Sequence, residues 1–210
     1  MNKEGTLYTV VFIFIVSFAF VFLLSMTNQA TIERVRLNEE IARQSAVLSA
    51  MGVEATTVEE IREEFARIAS DEEEGLFAGR IDGRTVYAKE MSGSGLWGGI
   101  FGFLAVTADI QTFVGIEIVD DNETPGLGGR INEPWFKEQF EGQRIPDDGI
   151  TVRAGEADPE RGIVDGITGA TATSNAMQSI INRTVEQFRS PEIRARLEEL
   201  AAQLASGGEV

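Results

Sequence analysis

The stretch LFAGRIDGRTVYAKE, residues 76–90, marks the point at which the sequence changes from helical to strand patterns. Two short apolar runs flank Asp82-Gly83, and an Asp-Gly pair in that position is typical of a β-hairpin. Further runs rich in β-branched and aromatic residues predict four more strands. These strands are expected at 98–109, 112–121, 149–155 and 162–167.

Helical patterns lie on both sides of these strands. Residues 27–52 read as a helix with Gly52 as its stop, and residues 70–75 follow a second helix as a loop. Thr57 and Glu60 have the spacing of a capping box at the start of that second helix. Three later helices are expected at 134–142, from Ser174 to 189, and at 191–205. The chain is therefore predicted to be an α+β protein in which helices flank a mostly antiparallel sheet.

The apolar segment 7–26, LYTVVFIFIVSFAFVFLLSM, contains no charged residue. Twenty helical residues span about 30 Å, which matches the hydrocarbon core of a bilayer. A cleaved signal peptide is the alternative, but the run is long for one and no small-residue cleavage site follows it cleanly. A retained membrane anchor in contact with lipid is therefore predicted. Because a large acidic domain follows the span, we expect that domain on the outer face of the membrane.

Composition restricts the chemistry available to the chain. Its 210 residues carry a formal net charge of −16, which argues against a nucleic-acid partner. There is no cysteine and no histidine, so zinc, haem and iron–sulfur sites, and catalytic triads that contain His or Cys, are not expected. Any redox chemistry would then require an organic cofactor.

The turn DGITGATATSNAM, residues 165–177, carries four hydroxyls within seven positions just before a helix. One Ser or Thr there is explained as an N-cap. The alternative is a phosphate site, because a helix N-terminus offers free N–H groups and a positive dipole end. Small residues at 169 and 170 would let a phosphate approach the backbone.

Two other stretches could contact a ligand. The loop after the second long strand, 122–136, combines turn-forming glycines with Glu123, Thr124 and Leu127, a mixture that suits a flat heteroaromatic ring with polar edges. Trp97 lies in GSGLWGGIFG and could stack on such a ring. The alternatives are a flexible glycine loop and a core tryptophan.

These stretches together carry a resemblance to a known family. In the order GSGLWGGIFGFLAV, ETPGLGGRINEPWF and DGITGATATS, after one membrane span and a helical stalk, the chain resembles the FMN-binding subunits of ion-pumping redox complexes. That family comprises the FMN-binding subunits of two complexes, the sodium-translocating NADH:quinone reductase and the Rnf ferredoxin:NAD complex. The first two stretches look more like the quinone reductase member.

The resemblance implies a covalently bound FMN. In the family, a flavin transferase that uses FAD joins the flavin phosphate to a threonine hydroxyl as a phosphoester, and the matching acceptor is Thr171. The transferase recognises an aspartate that matches Asp165. The remaining matched residues are expected to shape the loop (Thr168, Gly169, Ala170), to bond the phosphate (Thr173, Ser174) and to contact the flavin ring (Trp97, Glu123, Thr124, Leu127).

The resemblance also implies a role and a place in the cell. The chain would relay electrons from NADH towards ubiquinone within a Na⁺-transporting complex of a bacterial cytoplasmic membrane, with the other subunits as partners and no catalysis alone. The expected divisions are an anchor (1–26), a stalk (27–75), an FMN-binding domain (76–189) and a C-terminal helix with a tail (190–210).

Four alternatives to that role stay open at this point. The chain could be the Rnf-type subunit, a stand-alone anchored flavoprotein, or a non-redox adaptor whose acidic face docks a partner. A hydrolase that uses Glu117, Glu123 or Asp120 is the fourth, although nothing in the sequence pairs these acids.

Overall fold

The computed structural model describes residues 3–207 of the chain. The predicted C-terminal tail therefore lies in part outside the described residues. Within them the chain falls into two compact units, one ending at Glu40 and the other beginning at Ile41. The five α-helices are α1 (Lys3–Ala50), α2 (Val58–Phe65), α3 (Pro134–Lys137), α4 (Thr171–Arg189) and α5 (Pro191–Gly207). The seven strands are β1 (Ala69–Asp71), β2 (Leu76–Ile81), β3 (Arg84–Ser94), β4 (Gly99–Thr107), β5 (Phe113–Asp121), β6 (Thr151–Arg153) and β7 (Ile163–Asp165).

The first unit contains the apolar part of α1. It is the one helix within residues 3–207 that is long and apolar enough to cross a membrane, with a mean hydropathy of 2.8 over its most apolar window. No part of that window is buried against other residues. An apolar surface of this size is stable in hydrocarbon and unfavourable in water. The segment fits the predicted membrane anchor.

The second unit is built on a five-stranded antiparallel meander in the order β1-β2-β3-β4-β5. Its β2–β3 hairpin confirms the prediction from 76–90, because Asp82 and Gly83 both have positive φ (48° and 75°) and the strands pair from Ile81 with Arg84. A two-residue turn with both φ values positive matches the twist of the flanking strands. The separate pair β6–β7 is parallel.

The two faces of the sheet are covered by different helices. On one face the end of α1 packs on alternate strand residues, including Phe77, Val86 and Phe103, with Val47 and Met51 fully buried. The other face carries the larger core, to which α4 contributes its predicted apolar face. The buried residues of that α4 face are Met177, Ile180, Ile181, Val185 and Phe188. The α+β architecture predicted from the sequence is confirmed.

Two ends of helices follow the predicted signals. At the end of α1, Gly52 has φ of 79°, and the N–H groups of Val53 and Gly52 donate to the carbonyls of Leu48 (2.9 Å) and Ser49 (3.0 Å). This is the Schellman arrangement, which favours glycine. At the start of α2, the Thr57 side chain accepts from the N–H of Glu60 in a complete capping box.

The C-terminal helix α5 shares the core of the sheet. Leu197 and Leu200 are buried in the same cluster as Leu76 and Tyr87. At the edge of the sheet, Arg196 Nε donates to Asp71 Oδ2 at 2.5 Å. The helix therefore closes over β1 and β2.

Three local predictions differ from the structure in type or in bounds. Residues 69–71 form a strand, whereas a loop was expected from residue 70. The predicted helix 134–142 is split into α3 and a 3-10 helix, Glu138–Phe140. Helix α4 begins at Thr171, three residues before the predicted start at Ser174, because Thr171 and Ala172 continue the helical backbone without a side-chain cap.

We expect Phe77→Ala to lower the free energy of unfolding of the second unit by about 3–5 kcal/mol. The ring is fully buried and meets Phe103 edge-on, with the ring centroids 5.7 Å apart. Urea denaturation of the full chain in detergent measures the loss. Phe101→Ala is the matched control, because that ring is 44% exposed, and an equal loss in both variants would contradict this account of the core.

Acid should weaken the attachment of α5. The hydrogen bond from Arg196 holds the pKa of Asp71 below its ordinary value. A carboxyl group with a lowered pKa in the folded state stabilises the fold above its unfolded-state pKa, near 4, and this stabilisation disappears as the pH falls through the folded-state pKa. Asp71→Asn should therefore lose less stability than the wild type between about pH 5 and pH 2.

Thermal unfolding across that pH range measures the difference. Glu199→Gln is the control, because Glu199 bonds the same arginine from an exposed position on α5. Parallel pH profiles for the wild type and Asp71→Asn would contradict the prediction.

Candidate functional site

Three loops that carry the sequence motifs meet beside one end of the sheet. The first is the β3–β4 connection, residues 95–98, which is closed by a 2.7 Å hydrogen bond from Gly95 N–H to the Gly98 carbonyl. Its tip presents Leu96 and Trp97, which are 55% and 70% exposed. Trp97 is therefore not a core residue, and its indole is available to a ligand.

The second loop follows β5. Thr124 is exposed, and its carbonyl accepts from the N–H groups of Leu127 (3.0 Å) and Gly129 (3.1 Å), which folds the chain into a compact turn. Gly126 has φ of 75° in this turn, a conformation that favours glycine. Leu127 is 47% exposed, so the loop offers one apolar side chain to solvent.

The third loop leads from β7 into α4. The N–H of Ala170 donates to the carbonyl of Ile167 at 3.0 Å, and Gly169 between them has φ of 84°. This positive φ is what the third position of a type II turn requires. The turn delivers Thr171 to the first position of a 19-residue helix, with its side chain exposed. Thr168 is exposed as well, whereas Ala170 is buried.

The hydroxyls at this turn have three different environments. Thr173 and Ser174 are buried. The alternative explanation of one hydroxyl as an N-cap is wrong, because Ala170 occupies the N-cap of α4 and no side chain caps the helix. Ser174 Oγ donates to the Ala170 carbonyl (3.1 Å) and accepts from Ile167 N–H (3.0 Å). Thr173 Oγ1 donates to Glu123 Oε2 at 2.6 Å. Both buried hydroxyls thus hold the turn together.

Glu123 joins all three loops. Its Oε1 accepts from the N–H groups of Leu96 (2.6 Å) and Trp97 (3.1 Å), and its Oε2 accepts from Thr173. The side chain is buried, so these bonds replace the water that a carboxylate needs. The structure thus brings together the regions of Trp97, Glu123, Leu127 and Thr171 that the sequence could only place in order along the chain.

Asp165 lies at the end of β7 and is half-buried. Its Oδ1 accepts from Gly155 N–H at 2.6 Å, and Gln139 bonds both its backbone N–H (2.7 Å) and its carbonyl (3.2 Å). Asp165 is therefore fixed at the base of the turn, six residues before Thr171. Gln139 was missed in the sequence because an isolated glutamine in a short helical segment gives no signal.

A cleft of about 520 Å³ lies beside Thr171, between the edge of β6 and the start of α4. Arg153 is its one basic residue, and Asn175 and Gln178 add amide groups. Gln178 Oε1 also accepts from Val152 N–H at 2.9 Å, which fixes β6 against α4. The cleft is polar, open and next to the exposed hydroxyl of Thr171.

The start of α4 has free hydrogen-bonding capacity. Within residues 3–207, no hydrogen bond uses the backbone N–H of Thr171, Ala172 or Thr173. Such N–H groups and the positive end of the helix dipole favour a negatively charged group. The residues present therefore fit a phosphate esterified to Thr171, with the exposed side chain of Leu127 as apolar surface nearby. Leu127 Cδ2 lies 3.6 Å from the position that a Cβ on Gly169 would take.

The three acids considered for hydrolysis lie in separate environments. Glu117 pairs with Lys137 Nζ at 2.7 Å, Glu123 bonds the three loops, and Asp120 is exposed. Among residues 3–207 no group of three His, Cys, Asp or Glu residues could hold a metal ion. The arrangement does not supply the paired carboxylates that a hydrolase needs.

Comparison with known proteins agrees with this geometry. Residues 95–186, which contain all three loops, match the family model described as the FMN-binding domain. This region is therefore similar to FMN-binding domains. The resemblance predicted from the motifs is confirmed, and FMN is supported as the cofactor of this domain.

Curated relatives of this region include C subunits of the Na(+)-translocating NADH-quinone reductase. The chain is 43% identical over 97 residues to the C subunit of the Na(+)-translocating NADH-quinone reductase of Yersinia pestis, which covers 43% of this chain and 36% of the relative. It is 40% identical over 92 residues to the same subunit of Vibrio anguillarum, covering 41% and 36%. The match covers 36% of each of these two relatives, so the chain spans about a third of their length.

Solved structures show the same fold. The C subunit of the Na(+)-translocating NADH-quinone reductase from Parabacteroides distasonis superposes with a TM-score of 0.64 at 23% identity, over 73% of this chain and 92% of that one. NqrC from Shewanella oneidensis gives a TM-score of 0.63 at 20% identity, over 74% and 96%. The fold therefore extends well beyond the segment that matches in sequence.

Sequence reasoning missed the reason for two glycines of the FMN-binding domain. A Cβ on Gly95 would lie 2.3 Å from Glu123 Oε1, and a Cβ on Gly128 would lie 2.5 Å from both Glu123 Oε2 and Thr173 Oγ1. The sequence explains the glycines of the second loop as turn-forming residues that leave room beside the backbone. At Gly128 the room is filled by the buried carboxylate.

We expect Gly128→Ala to break the bond between Glu123 and Thr173 and to cost about 1–3 kcal/mol of stability, the range for overpacking with loss of a buried hydrogen bond. Chemical denaturation of the full chain measures this. Gly129→Ala is the matched control, since the nearest atom to its new Cβ is the Thr124 carbonyl oxygen at 3.4 Å. Equal losses at 128 and 129 would contradict this account of the loop.

Proposed function

We propose that the chain is the covalently FMN-carrying electron-transfer subunit of a membrane Na⁺-translocating NADH:quinone oxidoreductase. The observation that carries this proposal is the place of Thr171. It is an exposed hydroxyl at the first position of α4, inside a matched FMN-binding domain and beside an open polar cleft. The names of the curated relatives support the complex.

Thr171 is proposed as the residue that carries the flavin. In the attachment reaction the Thr171 oxygen forms the new bond to the flavin phosphate of FAD, and the bond between the two phosphates breaks. AMP leaves, and the hydroxyl proton passes to a base of the flavin transferase. Asp165, fixed at the base of the turn, is proposed as the feature that the transferase recognises.

The other matched residues receive distinct proposed tasks. The N–H groups of Thr171, Ala172 and Thr173 hold the phosphate, and Gly169 and Thr168 shape its approach. Exposed Leu127, Thr124 and Trp97 line the flavin ring. FMN supplies the chemistry when bound, because it accepts electrons and passes them on without a metal. The buried hydroxyls of Thr173 and Ser174 fix the turn, and their bonds to the phosphate stay a prediction.

Membrane attachment gives this arrangement its use. The apolar part of α1 would anchor the FMN-binding domain in the lipid bilayer of a bacterial cytoplasmic membrane, with the domain on the outer face. Anchoring raises the effective concentration of the flavin near the other subunits of the complex. A covalent bond to Thr171 keeps the flavin in place in each of its redox states.

The comparisons favour this proposal over the rival functions. The curated relatives carry the name of the quinone reductase subunit, which favours that complex over the Rnf complex. The FMN-binding match favours a redox role over an adaptor. Co-purification with the other subunits would separate a member of the complex from a stand-alone flavoprotein.

We expect Thr171→Ala to abolish covalent FMN while the fold is retained, because the exposed hydroxyl makes no bond within the described residues. Intact mass and in-gel flavin fluorescence of the full chain, made together with its transferase, measure the adduct. Ser179→Ala is the matched control, an exposed hydroxyl further along the same helix and outside the turn, and it should keep the adduct. An FMN adduct on Thr171→Ala, or a peptide map that places it on Thr173, would exclude this site.

A further inference from the structure

Glu123 is a buried carboxylate with no cationic partner. Its side chain is 7% exposed, and none of the salt bridges within residues 3–207 includes it. A buried charge of this kind is tolerated only where hydrogen bonds replace its hydration. The partners of Glu123 are therefore part of the reason for its presence.

These partners come from two separate elements of the site. The β3–β4 loop donates two backbone N–H groups, from Leu96 and Trp97, to Oε1. The first turn of α4 donates the Thr173 hydroxyl to Oε2, 50 residues away in sequence. One rigid side chain thus fixes the loop that carries Trp97 relative to the helix that begins at Thr171.

The surrounding chain is shaped to hold the carboxylate in this position. Gly95 and Gly128 leave room for its two oxygens, and neither position would accept a Cβ without displacing them. In addition, Asp121 Oδ1 accepts from the backbone N–H of Glu123 at 2.8 Å, and this bond fixes the backbone of Glu123. Three of the roughly four acceptor sites of the carboxylate are thus occupied by donors inside the protein.

We propose that Glu123 is a positioning residue for the flavin, which sets the distance of the Trp97 loop from Thr171 and places a buried negative charge beside the cofactor. This inference rests on the proposed function, because it concerns FMN carried on Thr171. The direct contact with the flavin ring that the motif match implied for Glu123 stays a separate prediction. The charge should make reduction of the flavin less favourable, since reduction adds electrons to a site that is already negative.

Two substitutions separate the positional effect from the charge effect. Thr173→Val removes the bond to α4 and keeps the charge, with Thr173→Ser as the conservative rescue that keeps the hydroxyl. Glu123→Gln removes the charge but keeps bonding capacity, because its amide oxygen can accept from the hairpin tip and its NH₂ can donate to Thr173. Asp120→Asn is the matched control, an exposed acid of the same loop region.

All variants are made as full chains with the transferase and studied in detergent. Intact mass reports the FMN adduct, a redox titration reports the flavin potential, and hydrogen exchange reports the N–H groups of Leu96 and Trp97. Wild type without an FMN adduct would overturn the proposed function itself. The potential and the exchange rates are compared only in protein that carries the adduct, and they therefore test Glu123 alone.

We expect Glu123→Gln to raise the reduction potential of the flavin. Amide hydrogen exchange at Leu96 and Trp97 should become about tenfold faster, because a charge-assisted hydrogen bond is replaced by a neutral one. Thr173→Val should change the flavin fluorescence, and Thr173→Ser should restore it. Asp120→Asn should match the wild type in all three measurements.

Unchanged potential and exchange in Glu123→Gln would overturn the proposal. It would also be overturned if Thr173→Ser behaved like Thr173→Val, because the effect would then come from packing of the methyl group. If Thr173→Val fails to fold, the isosteric Glu123→Gln and the Thr173→Ser variant decide the question.

Discussion

The requirement to satisfy one buried carboxylate connects the three loops that carry the sequence motifs. Glu123 is buried away from water and has no cationic partner, so its carboxylate is stabilised by hydrogen-bond donors from two other segments. Those segments cannot move apart without leaving a charge uncompensated, a cost of several kcal/mol in a protein interior. The glycines around it follow from the same requirement. The loop that the sequence alone would describe as a flexible glycine loop therefore holds the Glu123 carboxylate in one position.

The sheet explains why these segments meet. In an antiparallel meander, alternate connections lie at the same end, so the β3–β4 hairpin tip and the end of β5 are brought together while Asp82-Gly83 lies at the opposite end. The parallel pair β6–β7 then leads the chain back towards that end and into α4. Side-chain amides of α4, including Asn182 with Ile150 at 2.8 Å, pair with the backbone at β6. The site is thus placed on regular structure, although its residues lie in turns.

Much of this could be predicted from the sequence, for local reasons. The Asp-Gly hairpin, the Gly52 stop and the Thr57 capping box each depend on residues a few positions apart, and all three are present. The order of the motifs predicted the family of the domain. The role of Glu123 could not be predicted, because its partners lie 27 and 50 residues away and two of its three bonds go to backbone groups that have no sequence signature. The start of α4 was misplaced because its N-cap is alanine, which gives no capping signal.

The position of α5 has a consequence for the domain as a neighbour of other proteins. The edge strand β1 has only three residues, is followed by three consecutive glutamates, and is tied to α5 through Asp71. Short, charged edges that a helix covers do not recruit strands from other molecules. Domains confined to the surface of a membrane meet each other far more often than free ones do. By covering the edge strand β1, the C-terminal helix thus opposes edge-to-edge polymerisation, which uncovered sheet edges at high local concentration on a membrane would favour.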